Sequence, residues 1–348
     1  MDFQKLISGE LRGIGPSVLR SALAIASWPY GLATTARNWL YDHSILTAHH
    51  VKVPVICIGN LTAGGTGKTP MVEYLCRQLL KQGRKPTIIS RGYRAEPGKL
   101  NDEAMELAQR LGEVPHIQNP NRVAAADEAI TAYGADVLVL DDAFQHRRIA
   151  RDLNIVLIDA LRPFGYGHLL PRGLLRERMS GLRRAELVVL SRADSVTDDR
   201  KAEIREVVEK YAPGKPWIEV AHRASHLLSR DGESSPLKEM FGKRVLAFCG
   251  IGNPEGFRAT LQNVGAELVG FQVFPDHHAF DLTDVSRIEE MAQSAKAEMV
   301  VCTHKDLVKL PSPEISLRAV VVELVVLAGE EELLRRLPGK TASARKVA

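Results

Sequence analysis

The densest concentration of chemistry in the chain is Gly64-Gly65-Thr66-Gly67-Lys68-Thr69. Glycines let main-chain N–H groups turn toward phosphate oxygens. A lysine in this position reaches the β- and γ-phosphates, and the Thr69 hydroxyl can hold Mg²⁺. The segment follows an apolar run, Val53–Gly59, and precedes helix-patterned residues Met71–Lys81. That order suits a phosphate loop, because the starting helix adds the positive end of its dipole. Pro70 fits a first helical turn, which has no N–H bond to lose. Thr62 stands where the usual G-x-x-x-x-G-K-[ST] pattern has its first glycine. The expected nucleotide-binding residues are Thr62, Ala63, Gly64, Gly65, Thr66, Gly67, Lys68 and Thr69, and ATP is the expected nucleotide.

Such a loop calls for an acidic residue at the end of another strand to organise the metal. Val137-Leu138-Val139-Leu140-Asp141-Asp142 supplies two. Side chains alternate along a strand, so one carboxylate can touch Mg²⁺ or its water shell while the other orients its neighbours. The expected metal set is Thr69, Asp141 and Asp142.

The elements that must position these residues are legible as apolar runs. Strands are expected at Val53–Gly59, Pro86–Ser90, Val137–Leu140, Ile155–Ile158 and Leu187–Leu190, with a helix at Asp102–Leu111. Unbroken apolar runs suit a parallel sheet buried on both faces. The expected fold is therefore α/β: a P-loop NTPase-type, mostly parallel sheet with helices on both faces, over residues 51–220. A smaller C-terminal α/β domain is expected over 221–337. Its strands are Arg244–Cys249, Leu268–Phe274 and Met299–Thr303, and its helix runs from about Glu255 to Val264. Residues 338–348 read as a disordered tail.

Residues 1–50 read as a membrane-associated helical segment. Ser21–Ala36 is uncharged but shorter than the roughly 20 residues that span a bilayer. Pro29 and Gly31 would kink or break a helix there. Trp28, Tyr30, Trp39 and Tyr41 favour an interface. An amphipathic or hairpin-like anchor in one leaflet is expected, without a secretory signal. The chain's net charge is only +4, yet Arg147–Arg184 alone carries nine arginines, no lysine and three acids. That stretch is expected to meet something anionic. Low aromatic content and the absence of a recognised motif argue against nucleic acid. The four scattered cysteines read as reduced thiols, and no zinc spacing occurs.

Read together, several segments resemble the tetraacyldisaccharide 4′-kinase family. They are Gly59–Pro70, Ser90-Arg91-Gly92-Tyr93, Leu140–Arg147 (LDDAFQHR), Leu170–Glu177 (LPRGLLRE) and Phe274-Pro275-Asp276-His277-His278. The resemblance implies an ATP- and Mg²⁺-dependent lipid kinase at the cytoplasmic face of the bacterial inner membrane. Its glycolipid substrate would be a tetraacylated glucosamine disaccharide 1-phosphate, and no protein partner is implied. The resemblance places Asp102 and His277 at activation of the 4′-hydroxyl, with His278 as the adjacent alternative. Arg122, Arg176 and Glu177 would then lie near the transferred phosphate or the substrate. A carboxylate–imidazole pair can take a proton from an alcohol. A different class, a P-loop ATPase or GTPase switch in cofactor or metallocentre maturation, draws on the compact loop and on Ser191-Arg192-Ala193-Asp194 after a strand.

Overall fold

The computed structural model describes residues 3–92, 100–276, 278–311 and 317–339. It opens with α1 (Phe3–Ser8), α2 (Ile14–Asp42), β1 (Val55–Asn60), α3 (Lys68–Lys81), β2 (Pro86–Ser90), α4 (Asp102–Leu111) and β3 (His116–Gln118). Next come α5 (Arg122–Ala132), β4 (Val137–Asp141), β5 (Leu153–Asp159), β6 (Leu187–Ser191), α6 (Asp198–Tyr211), β7 (Trp217–Ser229) and β8 (Ser234–Pro236). The rest are β9 (Arg244–Cys249), α7 (Pro254–Asn263), β10 (Glu267–Val273), α8 (Leu282–Ser294), β11 (Met299–Thr303), α9 (His304–Leu307), β12 (Leu317–Ala328) and α10 (Glu330–Arg336).

Two compact units result: Met1–Gly92 with Glu113–Ala221 and Val326–Ala348, and Tyr93–Gly112 with His222–Val325. One boundary falls at residues 221–222, and the units are not contiguous in sequence. Residues 93–112 lie within the expected core range yet belong to the second unit, and α10 belongs to the first. Pro338 and Gly339, at the start of the expected tail, accept hydrogen bonds from Arg84 Nη1 through their carbonyls. Residues 340–348 lie outside the described residues.

In the first unit the strand order is β7-β6-β5-β1-β4-β2-β3. Every neighbouring pair is parallel. The apolar runs that predicted these strands are buried throughout β1, β2, β4 and β6, as a sheet covered on both faces requires. Parallel strands bring their C-terminal ends to one edge, where ligands of open α/β sheets bind. Asn60, Ser90, Asp141, Asp159 and Ser191 close the five central strands there.

The second unit carries the parallel order β10-β9-β11-β12 and an antiparallel pairing of β7 with β8. Phe248, Phe274 and Phe280 meet edge to face in its core. The start of α4 is fixed by Asn101, whose side chain accepts from the Ala104 N–H. Asp102 is therefore the first helical residue and not the cap.

The N-terminal segment differs from a hairpin. Helix α2 continues unbroken for 29 residues across Pro29. Contacts on both sides of the proline offset the lost backbone bond. Ser27 Oγ donates to the Leu169 carbonyl at 3.1 Å, and the Tyr30 hydroxyl to that of Arg176 at 2.7 Å. A Cβ added to Gly31 would lie 2.7 Å from Leu169 Cδ1, so a larger residue would push that side chain aside. Part of the arginine-rich stretch is engaged inside the protein. Arg162 donates to Gln4, Arg172 to the Ile7 carbonyl and Arg147 to the Asn38 carbonyl, while Asp42 pairs with both Arg147 and Arg183. Those four guanidinium groups hold the N-terminal helices.

Candidate active site

The phosphate loop joins β1 to α3. Gly67 caps α3 in the left-handed region at φ 83°, and Gly64 has φ 114°. Side chains rarely adopt such angles, which explains glycine at both positions. The loop is anchored to the 165–177 segment. The Ala63 N–H donates to the Leu174 carbonyl at 2.7 Å, and the Arg176 N–H to the Leu61 carbonyl at 2.7 Å. Asn60 Nδ2 donates to the Thr62 carbonyl at 2.8 Å, and Gln145 Nε2 to that of Asn60 at 2.9 Å. Arg192, itself left-handed, pairs with Asp159 at 2.8 Å and donates to the Gly65 carbonyl at 3.1 Å. The three most distinctive sequence segments, 59–70, 140–147 and 170–177, thus form one interlocked structure.

At the end of β4, Asp141 is buried, while Asp142 turns into the left-handed region at φ 47° and faces the loop. Its carboxylate lies 3.7 Å from Lys68 Nζ and accepts from Arg176 Nη1 at 2.7 and 2.9 Å. Burial alone would raise the Asp142 pKa, but Lys68 and Arg176 together hold it below its usual value. Arg122 opens α5, is buried and donates to the Asn119 carbonyl at 3.0 Å. Burial, followed by Arg91, lowers its pKa, against the pull of Asp141 and Asp142.

Glu177 behaves differently from its neighbour. It is 1% exposed, and its carboxylate accepts from Arg184 at 2.8 Å, Asn38 at 2.8 Å and Gln145 at 3.0 Å. The structure therefore places Arg176 on the Asp142 carboxylate and Glu177 in a closed network beneath the loop.

The residues present fit a magnesium nucleotide. Thr66 Oγ1 is buried without a protein partner, beside Lys68 and the left-handed glycines. Among the described residues no three His, Cys, Asp or Glu side chains converge as a metal cage. Mg²⁺ in phosphoryl-transfer enzymes usually takes one or two carboxylates and completes its shell with phosphates and water. Thr69, Asp141 and Asp142 are the donors of that kind.

In the second unit, Asp102 Oδ2 lies 3.7 Å from Lys309 Nζ. His277 lies outside the described residues. His278 is engaged, with Nε2 at 2.7 Å from Asp284 Oδ2 and its ring stacked 4.8 Å from Phe274. Sequence reasoning gave no role to Asn60, Gln145, Arg192, Lys309 and Asp306, whose contacts join segments that the sequence keeps apart. Asn60, Gln145 and Arg192 lie in segments already singled out (Gly59–Pro70, Leu140–Arg147 and Ser191–Asp194), whereas Lys309 and Asp306 lie outside all of them.

The family model for tetraacyldisaccharide-1-P 4′-kinase matches residues 19–341. A tetraacyldisaccharide 4′-kinase of Syntrophus aciditrophicus is 39% identical over 328 residues, covering 86% of this chain and 88% of that protein. One from Anaeromyxobacter sp. strain K is 39% identical over 346 residues, covering 92% and 91%. The crystal structure of LpxK from Aquifex aeolicus in complex with ATP is 31% identical, with a TM-score of 0.73 over 91% of this chain and 98% of that one.

Proposed function

The chain belongs to the tetraacyldisaccharide-1-P 4′-kinase family, and on that premise we propose how its residues carry out the transfer. The reaction moves the γ-phosphate of ATP to the 4′-hydroxyl of a tetraacyldisaccharide 1-phosphate in lipid A synthesis. The carrying observation is the Lys68–Asp142–Arg176 cluster on a glycine loop between strand and helix. Lys68 and the loop N–H groups hold the triphosphate, and Arg176 and Arg122 neutralise charge on the phosphoryl group in flight. Bound Mg²⁺, held through Thr69, Asp141 and Asp142, would offset charge on the β- and γ-oxygens. Asp102 and His277 take the hydroxyl proton. Glu177 keeps Arg176 in register through Arg184, Asn38 and Gln145.

The lipid substrate is met at a membrane surface. Along α2, Ile14, Val18, Ile25, Trp28, Leu32 and Trp39 are exposed at helical spacing, Trp28 by 80%. Tyr30 and Asn38 on its other side bond the 176–177 segment. An apolar stripe outside and a bonded face inside support monotopic insertion into one leaflet, on the cytoplasmic side of the inner membrane. Among the described residues no helix is long and apolar enough to cross a bilayer.

The test is transfer of labelled γ-phosphate from ATP to tetraacyldisaccharide 1-phosphate in mixed micelles. Labelled lipid, lost in Lys68→Ala, is the expected result. Nucleotide hydrolysis with no labelled lipid would reject the reading. Trp28→Gln with Leu32→Gln should reduce co-sedimentation with anionic liposomes while leaving ATP binding intact; unchanged sedimentation would reject the membrane face.

A further inference from the structure

We propose that Lys309 is a positioning residue, which holds the Asp102 carboxylate and the residues flanking His277 in one arrangement for proton removal. The proposal rests on the roles given above to Asp102 and His277. Lys309 Nζ lies 3.7 Å from Asp102 Oδ2 and 3.1 Å from Asp306 Oδ1, and it donates to the His278 carbonyl at 3.2 Å. The Phe280 ring covers it, with its centroid 5.3 Å away. The lysine side chain is 7% exposed and that of Asp306 0%.

Asp306 is itself immobilised. Its Oδ2 accepts from the Gly250 N–H at 3.0 Å and from Thr303 Oγ1 at 2.6 Å, so the ends of β9 and β11 fix it. One helical turn before Lys309, Lys305 Nζ lies 3.4 Å from Asp276 Oδ1. Two lysines spaced i, i+4 therefore grip the residues before and after His277. The base of α4 is secured independently. His304 Nε2 bonds Gln109 Oε1 at 2.8 Å, Arg110 Nε donates to His304 Nδ1 at 3.0 Å, and Glu106 pairs with Arg110 at 2.9 Å.

A lysine placed only for packing would not need two carboxylates and a main-chain carbonyl. Sharing one ammonium between Asp102 and a buried carboxylate sets both the direction of Asp102 and the energy of its charged form. The start of α4 adds a favourable dipole. The charged groups borne by the same elements are Glu103, Glu106 and Arg110 on α4, Lys305 and Asp306 on α9, Asp276 and His278 after β10, and Asp284 among those on α8.

The experiment uses the full chain, the labelled-phosphate assay and two variants with opposite expected signs. Lys309→Met should lower kcat about 10- to 100-fold through misplacement of the base. KM values for ATP and lipid should move less than about threefold. The acidic limb of its log kcat–pH profile should shift up by about one pH unit, because a cation beside the carboxylate is gone. Asp306→Asn removes the carboxylate that competes with Asp102 for the lysine, so that limb should shift down. Lys309→Arg should restore most of the turnover and return the limb toward the wild-type position. A wild-type kcat and pH limb in Lys309→Met overturns the proposal, as do limbs in both variants that shift the same way. If Lys309→Met does not fold, the downward shift in Asp306→Asn decides alone. Asp102→Asn separates the levels: full turnover there defeats the base assignment itself, whereas an inactive Asp102→Asn with an unaffected Lys309→Met defeats only the role of Lys309.

Discussion

Asp142 in the first unit and Asp102 in the second are both carboxylates beside a lysine, yet their surroundings differ. Asp142 is held by Lys68 and Arg176, with its own side chain 35% exposed. These cations come from a phosphate loop and from the segment bonded to it, and both can turn to a triphosphate when it arrives. Asp102 faces a lysine whose second carboxylate is fully buried and pinned to main chain. The first arrangement has partners that a ligand can take over, and the second has partners that stay. A group that receives a highly charged ligand needs provisional counter-ions. A base, the role proposed for Asp102, would keep permanent ones that fix its position.

The largest expected effect breaks the provisional side. Lys68→Ala should reduce lipid phosphorylation by on the order of 10³-fold or more, measured as labelled lipid. Asp102→Asn comes next, with kcat lower by about 10²- to 10⁴-fold and the Kd for ATP changed by less than about twofold. Loss of ATP binding in that variant would mean that Asp102 serves the nucleotide.

Glu177→Ala sharpens the contrast within the first unit. It should destabilise the fold by about 3 kcal/mol, since it leaves the largely buried Arg184 without its carboxylate. Thermal unfolding measures this, and an unchanged midpoint would return Glu177 to direct substrate contact. Acid should also weaken the first unit. Burial, then Arg122, Arg151, Arg148 and Arg37, lowers the His146 pKa from 6.5 to about 4. A depressed value favours the neutral ring, so this stability is complete above pH 6.5 and is lost as pH falls toward 4. Midpoints measured across that window should fall less steeply in His146→Gln.

The smallest effect is a reporter. Cys57 and Cys76 lie in the first unit, Cys249 and Cys302 in the second, and all four are buried. Burial raises each thiol pKa, that of Cys249 to about 12. Native protein should resist thiol reagents, and labelling on heating should reveal which unit opens first.

The sheet of the first unit was readable because each strand is an unbroken apolar run, and the loop because its chemistry is contiguous. Strands β2 and β9 and helix α4 fall at the expected residues, and β1, β4, β5 and β6 within a residue or two of them. Helix α2 was misread at Pro29, since bonds from Ser27 and Tyr30 to residues about 145 positions away decide it. Sequence likewise reports the charge of the arginine stretch, but not that Asp42 and main-chain carbonyls receive part of it. Lys309 and Asp306 gave no local signal, because their significance lies in β9, β11 and α4 converging.

The single bond from Tyr30 to the Arg176 carbonyl has a mechanical consequence. The same residue whose main chain accepts that bond grips Asp142 with its side chain. If α2 tilts or slides as lipids pack against Trp28 and Leu32, either that bond breaks or the Arg176 backbone moves with the helix. One residue thus carries both the tie to α2 and the grip on the phosphate loop's counter-ion.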